Sequence, residues 1–314
     1  MHRRDLLKCL ATAFGTAILG RRAFADEAEE PAWRIAVGLN GFASASAKYK
    51  KQFPIREVLD FARREGFDGV ELTQDWPTPG YPSADETDRV TELKQLYDEF
   101  GLQIFSIQTS AGGAFVADAV RRAEWIKAFR GHVQFAKAIG CDCIGLWPGG
   151  PLRDQTIDEA LTHLGRSFGE AARIAADAGL IAAFEIEPPF IFNSEDHIHR
   201  IFAAAATPDL KMIYDPSHFD LMNGSTGRPH ELLERVGVKN IGYLHFTDCD
   251  GTLRDGSTSK HLPCGEGHVD IDASLQVLRE GGFRGWAMID AWQIPNPYDA
   301  SLKGKAALER GMPK

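Results

Sequence analysis

One pattern repeats from Trp33 onward: a short apolar run, a few polar residues, then an amphipathic stretch that stops near glycine. In the first unit, Arg34 to Leu39 is the apolar run, and Ile55, Val58, Leu59 and Ala62 follow at i, i+3, i+4, i+7 before Gly66. That spacing predicts a helix with one buried face, and the glycine predicts its stop. Eight such runs begin near residues 35, 69, 103, 143, 181, 212, 241 and 286, about 36 residues apart, the length of one strand–helix unit. Strands alternating with helices imply a parallel sheet, and eight units imply an α/β chain closed into a (β/α)8 TIM barrel. An open doubly wound sheet is the alternative. It usually has fewer strands, and no Gly-x-Gly-x-x-Gly follows the first strand here. No linker-like segment interrupts the repeat, so residues 26–314 read as a single domain.

The first 25 residues follow another logic. Arg3 and Arg4 precede Leu6, Leu7 and Lys8, an apolar stretch runs to Gly20, and Ala23-Phe24-Ala25 precedes acidic Asp26 and Glu27. A basic start, an apolar centre and an A-x-A site make an export signal cleaved after Ala25. The Arg3-Arg4 pair resembles a bacterial twin-arginine signal and implies a periplasmic or otherwise exported product. An uncleaved anchor is the other reading. The apolar run is shorter than the ~20 residues of a span and contains Lys8, and no later segment is apolar enough to insert after signal removal.

The whole chain has 35 basic and 44 acidic residues, a net charge of −9. Loss of residues 1–25 removes five basic residues and Asp5, which takes the net charge to −13. An anionic surface argues against nucleic acid as a partner and leaves small molecules. After cleavage, Cys141, Cys143, Cys249 and Cys264 remain. No second Cys/His pair at zinc-finger spacing accompanies Cys141 and Cys143, so they read as small buried residues; a disulfide between Cys249 and Cys264 is left open.

Active sites of such barrels lie at the C-terminal ends of the strands. The fifth run ends with Glu185 and Glu187, the sixth with Asp215 and His218, the seventh with His245 and Asp248, and the eighth with Asp290. Singly, a carboxylate at a strand end caps the next helix or pairs with a base. Glu185, Asp215, His245 and Asp290 from four successive strands would repel one another unless a cation joined them. Three carboxylates and an imidazole suit one divalent ion: Mn²⁺, Mg²⁺, Co²⁺ or Zn²⁺.

On these residues, on the Asp-x-x-His of Asp215 and His218, the His-x-x-Asp of His245 and Asp248, and the Gly265–Asp270 loop, the chain resembles the xylose isomerase-like TIM barrels of the sugar phosphate isomerase/epimerase superfamily. The resemblance implies that Glu185, Asp215, His245 and Asp290 hold the metal, with Glu187 competing for the place of Glu185. It implies that Glu185 and Asp290 are the acid–base pair, that His218 contacts substrate, and that Asp248 orients His245 from behind. Glu187, Trp147 and Arg254 are further candidates for substrate contact, and Trp76 and Trp292 also stand at strand ends, where each is equally explained as packing. Asp290 stands where the family usually has Glu, and Thr247 where many members have Lys. Thr73 to Asp75 and Gln108-Thr109 lack the histidines that DNA-repair members use for extra zinc ions.

The reading is a metal-dependent isomerase or epimerase acting beside a carbonyl of a free or oxidised sugar, since phosphorylated sugars are mainly cytosolic. A lyase acting on 3-keto-glycosides and a non-catalytic sugar-binding barrel are the alternatives, and homo-oligomerisation is left open. The export signal makes a direct prediction: mass spectrometry of periplasmic material finds a chain beginning at Asp26, and Arg3-Arg4→Lys-Lys blocks its appearance there. A full-length chain in the soluble periplasm would overturn the signal.

Overall fold

A computed structural model describes residues 33–313 except 75, 78, 79, 110, 111, 189, 223–227 and 256. The expected export segment lies outside the described residues. Among the described residues ten strands occur: β1 (Trp33–Gly38), β2 (Gly69–Leu72), β3 (Gln103–Ile107), β4 (Cys143–Leu146), β5 (Ile181–Phe184), β6 (Leu210–Tyr214), β7 (Ile241–Phe246), β8 (Asp248–Leu253), β9 (Ser259–Leu262) and β10 (Gly285–Ile289). Eight form one sheet in the order β3-β2-β1-β10-β7-β6-β5-β4, and every ladder in it is parallel. β3 and β4 meet through the parallel bridges Gln108–Gly145 and Gly112–Gly149. The Asp142 N–H also donates to the Phe105 carbonyl at 2.9 Å. The eight units expected from the repeat are therefore the eight staves of a TIM barrel. β8 and β9, an antiparallel hairpin after β7, are an addition that the repeat did not disclose.

The barrel strands are buried on both faces, and all residues of β2, β4 and β7 are buried. Such strands read as continuous apolar runs. Helices take over where the sequence caps them. Asp118 accepts from Val120 and Arg121 N–H ahead of Ala119–Ile139, and Thr156 with Glu159 makes a capping box for Ile157–Asp177, each cap contributing roughly 1 kcal/mol.

The barrel interior is a separate apolar cluster of Ala36, Phe105, Cys143, Trp147, Ala183, Ile213, Tyr243, Trp286 and Met288. Phe105 stacks on Trp286 with centroids 4.7 Å apart and meets the Tyr243 ring edge-on at 5.5 Å. Arg34 covers the Trp286 ring at 4.2 Å, and Asp142 accepts from both Arg34 (2.8 Å) and Trp286 Nε1 (2.7 Å). Gly145 makes this filling feasible: a Cβ there would lie 2.5 Å from the Trp147 ring and 2.7 Å from the Tyr243 hydroxyl. The interior is thus a packed plug. Among the described residues no helix is long and apolar enough to cross a membrane.

Phe105 is fully buried at the centre of the plug. Phe105→Ala should destabilise the fold by about 3–5 kcal/mol, whereas Val120→Ala, at a position 67% exposed, should stay within about 0.5 kcal/mol. Urea unfolding of the two variants checks the contrast; equal midpoints would refute a packed interior.

Candidate active site

Five elements bring ionisable groups to one mouth of the barrel. Glu185 and Glu187 follow β5, Asp215 follows β6, His218 lies in the short helix Pro216–Asp220, His245 is on β7 and Asp290 follows β10. Glu185, Asp215, His218, His245 and Asp290 are all buried. The cavity above them is lined by Asn40, Gln108, Trp147, Thr258, His261 and Trp292 as well.

Each carboxylate of the expected metal set has one oxygen tied down. Glu185 Oε2 accepts from Trp147 Nε1 at 2.8 Å. Asp215 Oδ1 accepts from the Ser217 N–H at 2.7 Å and so caps the helix it precedes. Asp290 Oδ1 accepts from Asn40 Nδ2 at 3.1 Å and from the Trp292 N–H at 2.9 Å. At Asp215 the cap uses Oδ1 and leaves Oδ2 uncommitted. The other oxygens converge. Glu185 Oε1 lies 2.9 Å and Asp290 Oδ2 3.8 Å from His245 Nδ1. His218 Nε2 lies 3.7 Å from Asp215 Oδ2 and 3.8 Å from Glu185 Oε1.

Glu185 Oε1, Asp215 Oδ2 and His245 Nδ1 are buried without a hydrogen-bond partner of good geometry among the described residues. Buried polar atoms are almost always satisfied, so unpartnered ones at Glu185, Asp215 and His245 at one mouth of the barrel fit a nearby cation. The donor set, carboxylate oxygens with an imidazole nitrogen, fits a divalent ion of the manganese-to-zinc range. Asp215, His218 and His261, and separately Glu185, Glu187 and His218, also lie within metal-ligating reach of one another.

The electrostatics follow from this crowding. Burial, with the Glu185 and Asp290 charges added, pushes Asp215 up to about 7 against the pull of His261. Burial and the Glu185 charge push Glu187 up to about 8. Burial drives His218 well below the usual imidazole range, and the neighbouring His261 adds to it. Burial acts on His245 in the same direction, but the Glu185 and Glu71 carboxylates outweigh it and carry it well above that range. Burial would raise Asp290, yet His261 and His245 hold it well below the usual carboxylate range.

Several sequence expectations are placed elsewhere. Asp248 does not reach His245. Its Oδ1 accepts from Cys249 and Val269 N–H and its Oδ2 from Gly265 and Gly267 N–H, at 2.8–3.1 Å. It is a clasp for the 265–269 loop. The residue behind His245 is Glu71 of β2, whose Oε2 lies 3.1 Å from His245 Nε2. Tyr243 and Gln108 donate to Glu71 at 3.1 and 3.0 Å. Arg254 is outside the cavity lining and spends its guanidinium on the His261 carbonyl at 3.1 Å. Trp76 stacks on Phe42 at 6.5 Å and is likewise outside the lining. Glu187 lines the cavity and accepts from Thr258 Oγ1 at 2.9 Å, farther from His245 than Glu185 is placed. All four described cysteines are free.

Glu71 and His261 escaped the sequence reading. Glu71 carried a signal, a lone charge inside a four-residue apolar strand, since such a charge is buried only when partnered. His261 sits on the hairpin, with Nδ1 3.6 Å from Asp290 Oδ1 and Nε2 4.0 Å from Asp215 Oδ2.

Residues 59–309 match the family described as "Xylose isomerase-like TIM barrel". Among curated relatives, an inosose dehydratase of Glaesserella parasuis serovar 5 (strain SH0165) is 22% identical over 266 residues, covering 76% of this chain and 84% of that protein. A D-tagatose 3-epimerase-like protein of known structure superposes with a TM-score of 0.67 at 20% identity, over 88% of this chain and 96% of its own. The IOLI protein, solved with a binding zinc atom, gives a TM-score of 0.68 at 17% identity over 88% and 97%. The likeness to those structures is one of fold, and the match across most of the chain supplies the lineage: the protein belongs to the xylose isomerase-like TIM barrel family.

Proposed function

We propose that this barrel is a metal-dependent isomerase or epimerase that moves a proton on the carbon beside a carbonyl of a non-phosphorylated sugar. The observation that carries it is the set of inward oxygens, Glu185 Oε1 and Asp290 Oδ2, that flank His245 Nδ1 at 2.9 and 3.8 Å. A divalent ion held by Glu185, Asp215, His245 and Asp290 would supply Lewis-acid polarisation of two adjacent substrate oxygens. The chain's own residues do the rest. Trp147 and Asn40 fix the rotamers of Glu185 and Asp290, so one carboxylate can take the proton while the other returns it, the arrangement of a general acid–base pair. His218 is held by Ser259 through Nδ1 at 2.7 Å, which turns Nε2 toward substrate. The cavity lining contains Glu185, Glu187 and Asp290 and no Lys or Arg among the described residues. A phosphate dianion would meet like charge there without a partner, which supports a free, oxidised or glycosidic sugar. Export through the Arg3-Arg4 signal, with a mature chain beginning at Asp26, belongs to the same reading, because free sugars are what an exported enzyme meets.

Dehydration is the second reading. It needs an acid for the departing hydroxyl, and His261 supplies an additional buried imidazole between Asp215 and Asp290; a curated relative is an inosose dehydratase. Both readings begin with the same proton abstraction.

The test is deuterium incorporation from D2O, followed by NMR, into a panel of free ketohexoses, inososes and 3-keto-glycosides. The wild type should exchange a carbon-bound proton only when divalent metal is present. Asp290→Asn, which keeps the shape but cannot accept the proton, should slow exchange by about 10²–10⁴-fold. Absence of exchange across the panel would leave a sugar-binding barrel, and exchange unaffected by Asp290→Asn would move the acid–base role to Glu185 or His218.

A further prediction concerns Glu71. With its Oε2 3.1 Å from His245 Nε2, its charge would favour the tautomer protonated there and leave the Nδ1 lone pair for the metal set, as outer carboxylates do for metal-bound histidines. Glu71→Gln should weaken metal binding roughly 10–100-fold by calorimetry with little change in the unfolding midpoint. Unchanged affinity would make Glu71 a packing residue only.

A further inference from the structure

A second group of donors lies outside the cavity lining. Asp220 ends the short helix that carries His218, Cys249 follows the Asp248 clasp, and His268 lies in the loop which that clasp holds. Asp220 Oδ2, Cys249 Sγ and His268 Nε2 all lie within 4.8 Å of one another, with Oδ2 3.2 Å from Sγ and 2.7 Å from Nε2. We infer that Asp220, Cys249 and His268 form a second site, outside the cavity lining, for a divalent transition metal of the zinc class.

The donor chemistry selects the ion. One sulfur, one nitrogen and one oxygen suit zinc or cobalt, whereas magnesium and calcium prefer oxygen alone. Zinc sits about 2.0–2.3 Å from such ligands, so small side-chain adjustments around the shared Asp220 oxygen bring all three into its shell. A fourth, open position would take water.

The backbone is built to keep these donors together. The His268 N–H donates to the Cys249 carbonyl at 2.8 Å, and Asp248 holds the N–H groups of Gly267 and Val269 on either side. Gly251 has φ +77°, and a Cβ there would lie 2.7 Å from His268 Cε1. A side chain at 251 would take the space of the imidazole. Cys249 is fully buried, while the His268 side chain is 55% exposed and the Asp220 side chain 16% exposed. The imidazole therefore closes the site from the solvent side, and a surface depression lined by Asp220, Arg228, His268 and Asp270 provides the way in.

Binding replaces the thiol proton: the sulfur–hydrogen bond breaks as the sulfur–metal bond forms, and the proton leaves to solvent. Burial holds the Cys249 thiol above its ordinary range, so affinity should rise with pH. The bound ion would tie the helix that carries His218 and is capped by Asp215 to the loop at 265–269, stiffening the frame of the active site without touching substrate. In the absence of such a site, the same contacts are a thiol S–H and an imidazole N–H donating to one carboxylate.

Cobalt separates the two readings, because a thiolate on Co²⁺ gives a near-ultraviolet sulfur-to-cobalt charge-transfer band that the oxygen and nitrogen donors of the active site cannot give. The metal-stripped full chain, titrated with Co²⁺ alone, should develop this band. Cys249→Ser should abolish it, and His245→Ala, altered only at the active-site set, should retain it. His268→Ala, at an exposed position that tolerates truncation, should weaken cobalt binding by more than the roughly 10–100-fold that follows loss of an outer partner. No band in the wild type, a band that survives Cys249→Ser, or full affinity in His268→Ala would each overturn the site; the last keeps the question decidable if Cys249→Ser fails to fold.

Discussion

Carboxylates that share a buried space set the terms for this molecule. Glu185, Asp215 and Asp290 are buried at one mouth of the barrel, and two like charges about 4 Å apart repel by about 4 kcal/mol at the effective dielectric typical of proteins. The chain answers in two ways. It ties one oxygen of each group to a donor (Trp147, the Ser217 N–H, or Asn40 with the Trp292 N–H) and it interleaves histidines between the rest. What remains is a set of oxygens and one nitrogen whose natural complement is a cation. The helix cap at Asp215 and the placement of Trp147 over the barrel interior are parts of that single arrangement.

Tyr243 and Trp147 connect the apolar plug to the ionisable groups above it. Tyr243 packs its ring edge-on against Phe105 in the plug and donates its hydroxyl to Glu71, which stands behind His245. The aromatic filling therefore does more than exclude water. It supplies a rigid floor on which the imidazole is oriented, and Gly145 leaves the room for Tyr243 and Trp147 to occupy that floor together.

Much of this was legible in the sequence. The 36-residue rhythm disclosed the eight staves, because helix and strand periods are backbone properties that survive in one dimension. The strand-end rule led to Glu185, Asp215, His245 and Asp290, which the fold brings to one mouth. Contacts that depend on side-chain direction were not legible. Asp248 lies three residues after His245 and looked like its partner, yet the chain turns into β8 between them and the carboxylate serves the 265–269 backbone. Glu71 comes from the opposite half of the sequence, and nothing local ties it to His245. Arg254 is close in sequence to the site, but the hairpin consumes its guanidinium.

Among the described residues that hairpin pairs with no barrel stave and forms its own two-stranded sheet. It nevertheless contributes Thr258 and His261 to the cavity and Ser259 to His218. Part of the cavity wall is thus encoded in a stretch of chain separate from the ladder that makes the barrel, while Glu185, His245 and Asp290 come from the staves and their ends. A change at Thr258 or His261 would therefore alter the cavity wall without removing a stave-to-stave hydrogen bond, so the wall and the staves answer to different constraints.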